Sequence, residues 1–152
     1  MIDIRTATPD DFLAIAALDR RAWRANRRGE FIPDGEHVWR CWCEYAVALV
    51  ATDGAAVVGA GVAFPCTDGR YAVHKIFVDP ARRGRGIGGR LLGALVERLD
   101  ERRVAAFLTV DPVNTAALAL YERHGFTERE FIKGYYRPEE DRFVLTRPAS
   151  QE

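Results

Sequence analysis

Serine is almost missing from this 152-residue chain, the one copy being Ser150 in the polar tail RPASQE. An enzyme built on an activated serine hydroxyl is therefore excluded, because that nucleophile must sit inside the fold beside its base. Cysteine is scarce too. Cys41, Cys43 and Cys66 are odd in number and lack the paired spacing of a zinc site, which points to reduced, buried thiols in a reducing compartment. His37, His74 and His124 stand far apart with no H-E-x-x-H between them, so no metal is expected. The most apolar stretch, Tyr45 to Pro65, is broken by Asp53-Gly54 and reads as two strands, not as a membrane span. The first residues, MIDIRTATPDD, lack a basic region followed by an apolar core, so a cytoplasmic protein without a signal peptide is expected. Charge of one sign is not in excess: 22 acidic residues balance 22 basic ones, which argues against nucleic acid or an anionic membrane as the main partner.

What the chain does have is arginine, 20 copies against two lysines. Arginine suits phosphate geometry, and genomic base composition would produce the same excess. The 48% hydrophobic content suits one soluble globular domain, and residues 1–147 are expected to form it, with 148–152 as a polar tail. Residues 2–6 alternate like a strand. A helix then opens at TPDDFLAIAALDRRAW, with Thr8 as cap, Pro9 at the first position and Phe12, Ile15, Ala16 and Leu18 as its apolar stripe. Residues 24–35 are polar and turn-rich, and a second helix is expected over 35–44. Strands follow at 45–51, 55–64 and 71–78, joined by the hairpin signals Asp53-Gly54 and Asp68-Gly69. The rest alternates: a helix over 86–102, a strand over 104–110, a helix over 114–124 and strands over 126–136 and 141–147. The sum is a mixed α/β domain with a mostly antiparallel sheet of about seven strands, flanked by four helices, and a strand–helix–strand crossover over 71–110.

Glycine is concentrated at one place, ARRGRGIGGRLL, residues 81–92. Glycine weakens a helix by up to about 1 kcal/mol against alanine, so four of them in six positions imply that something approaches the backbone closely. The helix they open has no Ser, Thr, Asp or Asn to cap it, and its first N–H groups carry the positive end of the dipole. With Arg82, Arg83 and Arg85 beside them, they make a site for a pyrophosphate. Gly84-x-Gly86-x-x-Gly89 also matches a dinucleotide fingerprint, with Asp111 following 22 residues later. In that fold, however, the first glycine follows its strand almost directly, whereas five residues, Asp79 to Arg83, intervene here. A Walker A loop is absent.

Arg83-x-x-Gly86-x-Gly88, placed after a strand ending IFVDP, resembles the R/Q-x-x-G-x-G/A loop of the GNAT family, the Gcn5-related N-acetyltransferases. A second segment, VNTAALALYERHGF at 113–126, is similar to that family's N-x-x-A-x-x-L-Y-x-x-x-G-F motif, and the order of elements agrees from residue 2 to about 147. The resemblance implies direct transfer of an acetyl group from acetyl-CoA to an amine, without a metal. It implies that Arg83, Gly84, Arg85, Gly86, Ile87, Gly88 and Gly89 hold the pyrophosphate, and that the backbone of Ile76, Phe77 and Val78 pairs with the pantetheine arm as an added strand. An N–H near Val78 would polarise the thioester. Asn114 would contact pantetheine, and a helix N-cap is an equally good account of it. Tyr121, seven residues on, matches the family's acid for the leaving thiolate, although a tyrosine three residues after Leu118 could also simply pack.

The base for the amine is less evident. Where protein N-terminal acetyltransferases often carry Glu or His, five residues before the motif asparagine, this chain has Thr109, which takes no proton at neutral pH. Tyr71 matches a strand tyrosine used by some of those relatives through a water. His74, on the same strand, is the other choice, and strict alternation sets the two on opposite faces. A structural histidine would look the same in sequence. For the acceptor, Tyr135-Tyr136 in GYYRPEEDRFVL resembles the hairpin with which ribosomal-protein alanine acetyltransferases hold a peptide, and ordinary strand aromatics would also fit. The arginine-rich loop from Trp23 to Pro33 has no recognisable signature. The expected partner is an amine or peptide, bound by a monomer or homodimer. A small-molecule amine and an acetyl-CoA-binding module without turnover stay open beside it, the latter because of Thr109.

Overall fold

The computed structural model of this chain describes residues 1–25 and 32–151. Its elements are β1 (Ile2–Thr6), α1 (Phe12–Ala25), α2 (Glu36–Tyr45), β2 (Val47–Asp53), β3 (Ala56–Pro65), β4 (Tyr71–Val78), α3 (Ile87–Arg102), β5 (Ala106–Val110), α4 (Thr115–Arg123), β6 (Glu128–Ile132) and β7 (Arg142–Arg147). Seven strands form a sheet of order β1-β2-β3-β4-β5-β7-β6. All its recorded pairs are antiparallel except β4 with β5. This is the mixed α/β architecture that the pattern of apolar residues predicts.

The chain forms two compact units, with β4 and α3 shared between them. The first comprises Met1–Phe64 and His74–Leu95. Here β1 runs antiparallel to β2, from Ile2↔Asp53 to Thr6↔Leu49, and β2 to β3, from Val47↔Ala63 to Asp53↔Ala56. Ile15, Ala16, Leu18 and Ala22 of α1 and Trp39 of α2 are fully buried against Val50, Ala60, Val62 and Phe77. Each such large apolar side chain contributes about 1.5–3 kcal/mol by leaving water. Where the sequence reading places the first turn of the helix, a 3-10 turn precedes α1, which begins only at Phe12. Thr8 stands at the cap position of a 3-10 turn, Pro9–Asp11, and its N–H donates to Asp11 Oδ2 at 2.8 Å. Arg5 grips the same carboxylate at 2.8 and 3.0 Å, and these bonds above all hold Asp11 below the usual carboxylate range.

The second unit comprises Pro65–Val73 and Val96–Glu152. β5 pairs in parallel with the start of β4 (Tyr71↔Ala106, Ala72↔Phe107) and antiparallel with β7, from Ala106↔Arg147 to Val110↔Phe143. β6 lies outside β7. Leu99, Leu108, Leu118, Phe126 and Leu145 form its apolar interior. Arg147 fastens it by a bidentate pair to Asp100 at 2.6 and 3.1 Å and by donating to the His124 carbonyl at 2.8 Å.

Several boundaries differ from the sequence reading. β6 was expected over 126–136 but occupies only Glu128–Ile132, so Tyr135 and Tyr136 lie in bends of the β6–β7 connection and not on a strand. The cause is a turn at 133–134, where Gly134 adopts φ +60° and its N–H donates to Asp141 Oδ1 at 2.9 Å. Arg103, at φ +57°, ends α3, and β5 begins only at Ala106 instead of 104. Residues 26–31 of the arginine-rich loop from Trp23 to Pro33 lie outside the described residues.

Candidate active site

The glycine run lies between a short turn and the start of α3, in the first unit. Asp79 Oδ1 accepts from Ala81 N–H at 3.1 Å, closing a 3-10 turn at Pro80–Arg82. The chain then passes through Gly84 (φ +81°) and Gly86 (φ +77°), conformations that only glycine enters at no steric cost. In α3, Arg90 N–H bonds the Gly86 carbonyl at 3.1 Å. The N–H groups of Ile87, Gly88 and Gly89 lie ahead of that ladder and lack an intrahelical acceptor. Buried Ile87, Leu91, Leu92 and Leu95 anchor the helix, so this open end is held in place. A Cβ built on Gly84, Gly86 or Gly89 would meet nothing within 4 Å. Arg83 and Arg85 are exposed, and Arg82, 3.6 Å from Asp53, keeps a buried Nη1 without a partner.

β4 carries the next group of expected residues. Phe77 is buried, its ring 5.9 Å from that of Trp39, while Ile76 and Val78 are half-buried. Among the described residues the ladder with β5 consists of two pairs, and β4 itself runs on to Val78. His74 Nε2 lies 2.9 Å from Asp34 Oδ2, with its ring beside those of Trp42 (5.1 Å) and Phe64 (5.8 Å). Lys75, the next residue, reaches the same Asp34 oxygen at 2.7 Å, both oxygens of Asp19 at 3.2 Å and the Ile32 carbonyl at 2.9 Å. Asp19 is fully buried and also accepts from Asp34 N–H (2.9 Å) and Trp39 Nε1 (3.1 Å). Burial alone would raise the Asp34 pKa, but the hydrogen bonds from His74 and Lys75 outweigh it and hold the carboxyl below its usual value. The sequence reading missed Asp19, Asp34 and Lys75. The available signal was a lysine, one of only two, inside the apolar run YAVHKIFV.

In the second unit, Asn114 caps α4, its Oδ1 accepting from Ala117 N–H at 3.2 Å. The Tyr121 ring stands edge-on to Phe126 at 6.2 Å. Burial raises its pKa, so the phenol keeps its proton at neutral pH and is able to donate it. Tyr71 is half-buried, with the Arg102 guanidinium 6.0 Å from its ring. Two residues the sequence did not connect are brought together: Thr109 Oγ1 and Tyr136 OH are 2.8 Å apart. Tyr135 packs edge-on against Tyr136 at 4.7 Å, and Arg142 lies over the Tyr136 ring at 5.3 Å. Both tyrosines are exposed, Tyr136 the more so.

The profile of the Acetyltransferase (GNAT) family matches residues 12–126, most of the chain and both motif segments. The chain belongs to the GNAT family. Among curated GNAT proteins, it is 48% identical over 67 residues to the N-alpha-acetyltransferase RimI of Mycobacterium tuberculosis, covering 44% of this chain and 41% of that one. It is 39% identical over 82 residues to the [ribosomal protein bS18]-alanine N-acetyltransferase of Escherichia coli strain K12, covering 51% and 55%. The chain thus spans about half the length of the curated relatives it matches. The crystal structure of the ribosomal-protein-S18-alanine N-acetyltransferase from Escherichia coli superposes with a TM-score of 0.81 at 26% identity, covering 100% of this chain and 96% of that one. The mostly antiparallel seven-stranded sheet with four helices is the GNAT fold.

Proposed function

We propose that residues 1–147 act as one acetyl-CoA-dependent N-acetyltransferase domain, working in the cytoplasm on the α-amine of a protein or peptide N-terminus. The observation that carries this reading is the loop ahead of α3. Its positive-φ glycines, unpaired N–H groups and open space fit a diphosphate, and its arginines supply charge. When bound, acetyl-CoA supplies an acetyl group already activated as a thioester. Arg83, Arg85 and the N–H groups of Ile87, Gly88 and Gly89 hold its phosphates, the backbone of Ile76–Val78 its pantetheine arm, and Asn114 the same arm. Tyr121, kept protonated by burial, gives its proton to the departing thiolate. The amine's proton passes to a group on β4, where Tyr71 and His74 are the choices.

The N-terminal preference draws support from the names of the two curated relatives, both N-terminal acetyltransferases, and from chemistry. An α-amine has a pKa near 8 against about 10.4 for lysine, so less help is needed to make it a neutral nucleophile. Tyr135 and Tyr136, exposed in the β6–β7 connection, would receive the peptide. No helix among the described residues is long and apolar enough to cross a membrane. The test is competition between free-amine and N-blocked, lysine-containing forms of one peptide library, followed by mapping of the acetyl group. Acetylation of α-amines is expected; modification mainly of lysines, or of small amines alone, would overturn the substrate assignment.

A further inference from the structure

We infer that Asp34 positions His74 as the proton acceptor for the incoming amine, with Nδ1 as the nitrogen that takes the proton. This rests on the acetyltransferase reading above and names the base which that reading leaves open.

The argument begins with Asp34. An ionised carboxylate only accepts hydrogen bonds, so the 2.9 Å contact requires His74 Nε2 to be the nitrogen carrying hydrogen. Neutral His74 is therefore the Nε2–H tautomer, with the lone pair on Nδ1. Nδ1 has no hydrogen-bond partner among the described residues, and 36% of the side chain is exposed, so that lone pair is available. Trp42 and Phe64 flank the ring and limit its rotation, which turns one hydrogen bond into a fixed orientation. Asp34 is itself held by Lys75 at 2.7 Å, and Lys75 by buried Asp19 at 3.2 Å, so the support extends into the core. Among the described residues, the charged groups facing His74 are Asp34 and Lys75, with Asp19 of α1 behind them; α2 and β3 present the uncharged rings of Trp42 and Phe64.

The alternatives serve less well. The hydroxyl of Tyr71 is a far weaker base than an imidazole nitrogen, and Thr109, another hydroxyl, is paired with Tyr136. Histidine is the one side chain that ordinarily changes charge between pH 5 and 8. His74 also lies two residues before Ile76, about 7 Å along the strand that is assigned to the pantetheine arm. The step is a proton transfer alone. One proton moves from the acceptor ammonium to Nδ1, directly or through water; Asp34 stays ionised and stabilises the imidazolium, which then returns the proton to solvent.

Two readouts test this, one of them independent of turnover. Nitrogen-15 NMR of the full chain without acetyl-CoA is expected to show the Nε2–H tautomer of His74. In Asp34→Asn the ring is expected to lose its single tautomer, because an amide can either accept from Nε2 or donate to it. An Nδ1–H tautomer in the wild type, or an unchanged single tautomer in Asp34→Asn, would overturn the inference. In the acetylation assay, His74→Gln should lower kcat/KM about 100-fold at pH 7, with acetyl-CoA affinity by calorimetry unchanged. Asp34→Asn should lower kcat/KM as well, with acetyl-CoA affinity unchanged. A wild-type kcat/KM in active His74→Gln would sink the base assignment and leave the acetyltransferase reading standing. A wild-type chain that acetylates no amine would sink both. Should Asp34→Asn fail to fold, His74→Gln, which keeps the Lys75–Asp34 pair, decides alone.

Discussion

Two regions of the first compact unit treat charge in opposite ways. Around β4, Asp19, Asp34 and Lys75 each bond at least two partners, and Asp19 and Lys75 are nearly shut off from water. Ahead of α3, Arg83 and Arg85 are exposed, three N–H groups lie outside the helical ladder, and the glycines face open space. The first region is complete as it stands, so its polar groups serve to hold something in position. The second is incomplete, and a ligand is what would complete it. Substitutions should therefore cost stability in the cluster and binding in the loop.

The largest effect is expected at Lys75. Lys75→Met fills similar space without charge and leaves fully buried Asp19 facing no cation, which should lower unfolding free energy by about 3–5 kcal/mol. Urea denaturation measures it, and a loss under about 1 kcal/mol would show that the cluster is dispensable to folding. Tyr121→Phe comes next. It keeps the ring against Phe126 and removes the proton, so kcat should fall about 100-fold while acetyl-CoA affinity holds. A wild-type kcat in a chemistry-limited assay would mean that water or another group protonates the thiolate.

Gly89→Leu separates the two regions most cleanly. Gly89 has no positive φ, and its Cβ would enter open space within the first turn of α3, so the helix should gain about 0.5 kcal/mol. The same side chain would crowd the phosphates, and acetyl-CoA should bind about tenfold more weakly by calorimetry. Stability and affinity then move in opposite directions; affinity that stays level would detach the loop from the cofactor. Gly86 is a poorer probe, since any side chain there is strained at φ +77°. The smallest effect is expected for Thr109→Val, which removes the hydroxyl beside Tyr136. Because that tyrosine is 58% exposed, the change should be about 0.5 kcal/mol in stability, with the larger response in the KM for peptide.

The same contrast governs what could be read from the chain alone. The α3 loop was legible because its parts are contiguous: glycines, arginines and a helix start lie within Ala81–Leu92. Asn114 was legible for the same reason, its cap lying three residues from the N–H it serves. The β4 cluster was not, because its bonds join residues 15 to 56 positions apart, and nothing local marks Asp19 or Asp34. The extent of β6 was misread for a different reason. Tyr135 and Tyr136 have strand propensity, but the turn at Gly134 overrides it. That override also brings Tyr136 to Thr109, a pairing that no periodicity would reveal.

The strand order has one more consequence. Its outermost members, β1 and β6, are five residues each, and both carry exposed charges: Asp3 and Arg5 on one, Glu128, Arg129 and Glu130 on the other. An edge strand offers unpaired backbone groups on which a second copy of the chain could add a strand of its own, copy after copy. Short length and charged side chains oppose that addition at both ends. At both ends of the sheet these residues themselves oppose edge-to-edge aggregation.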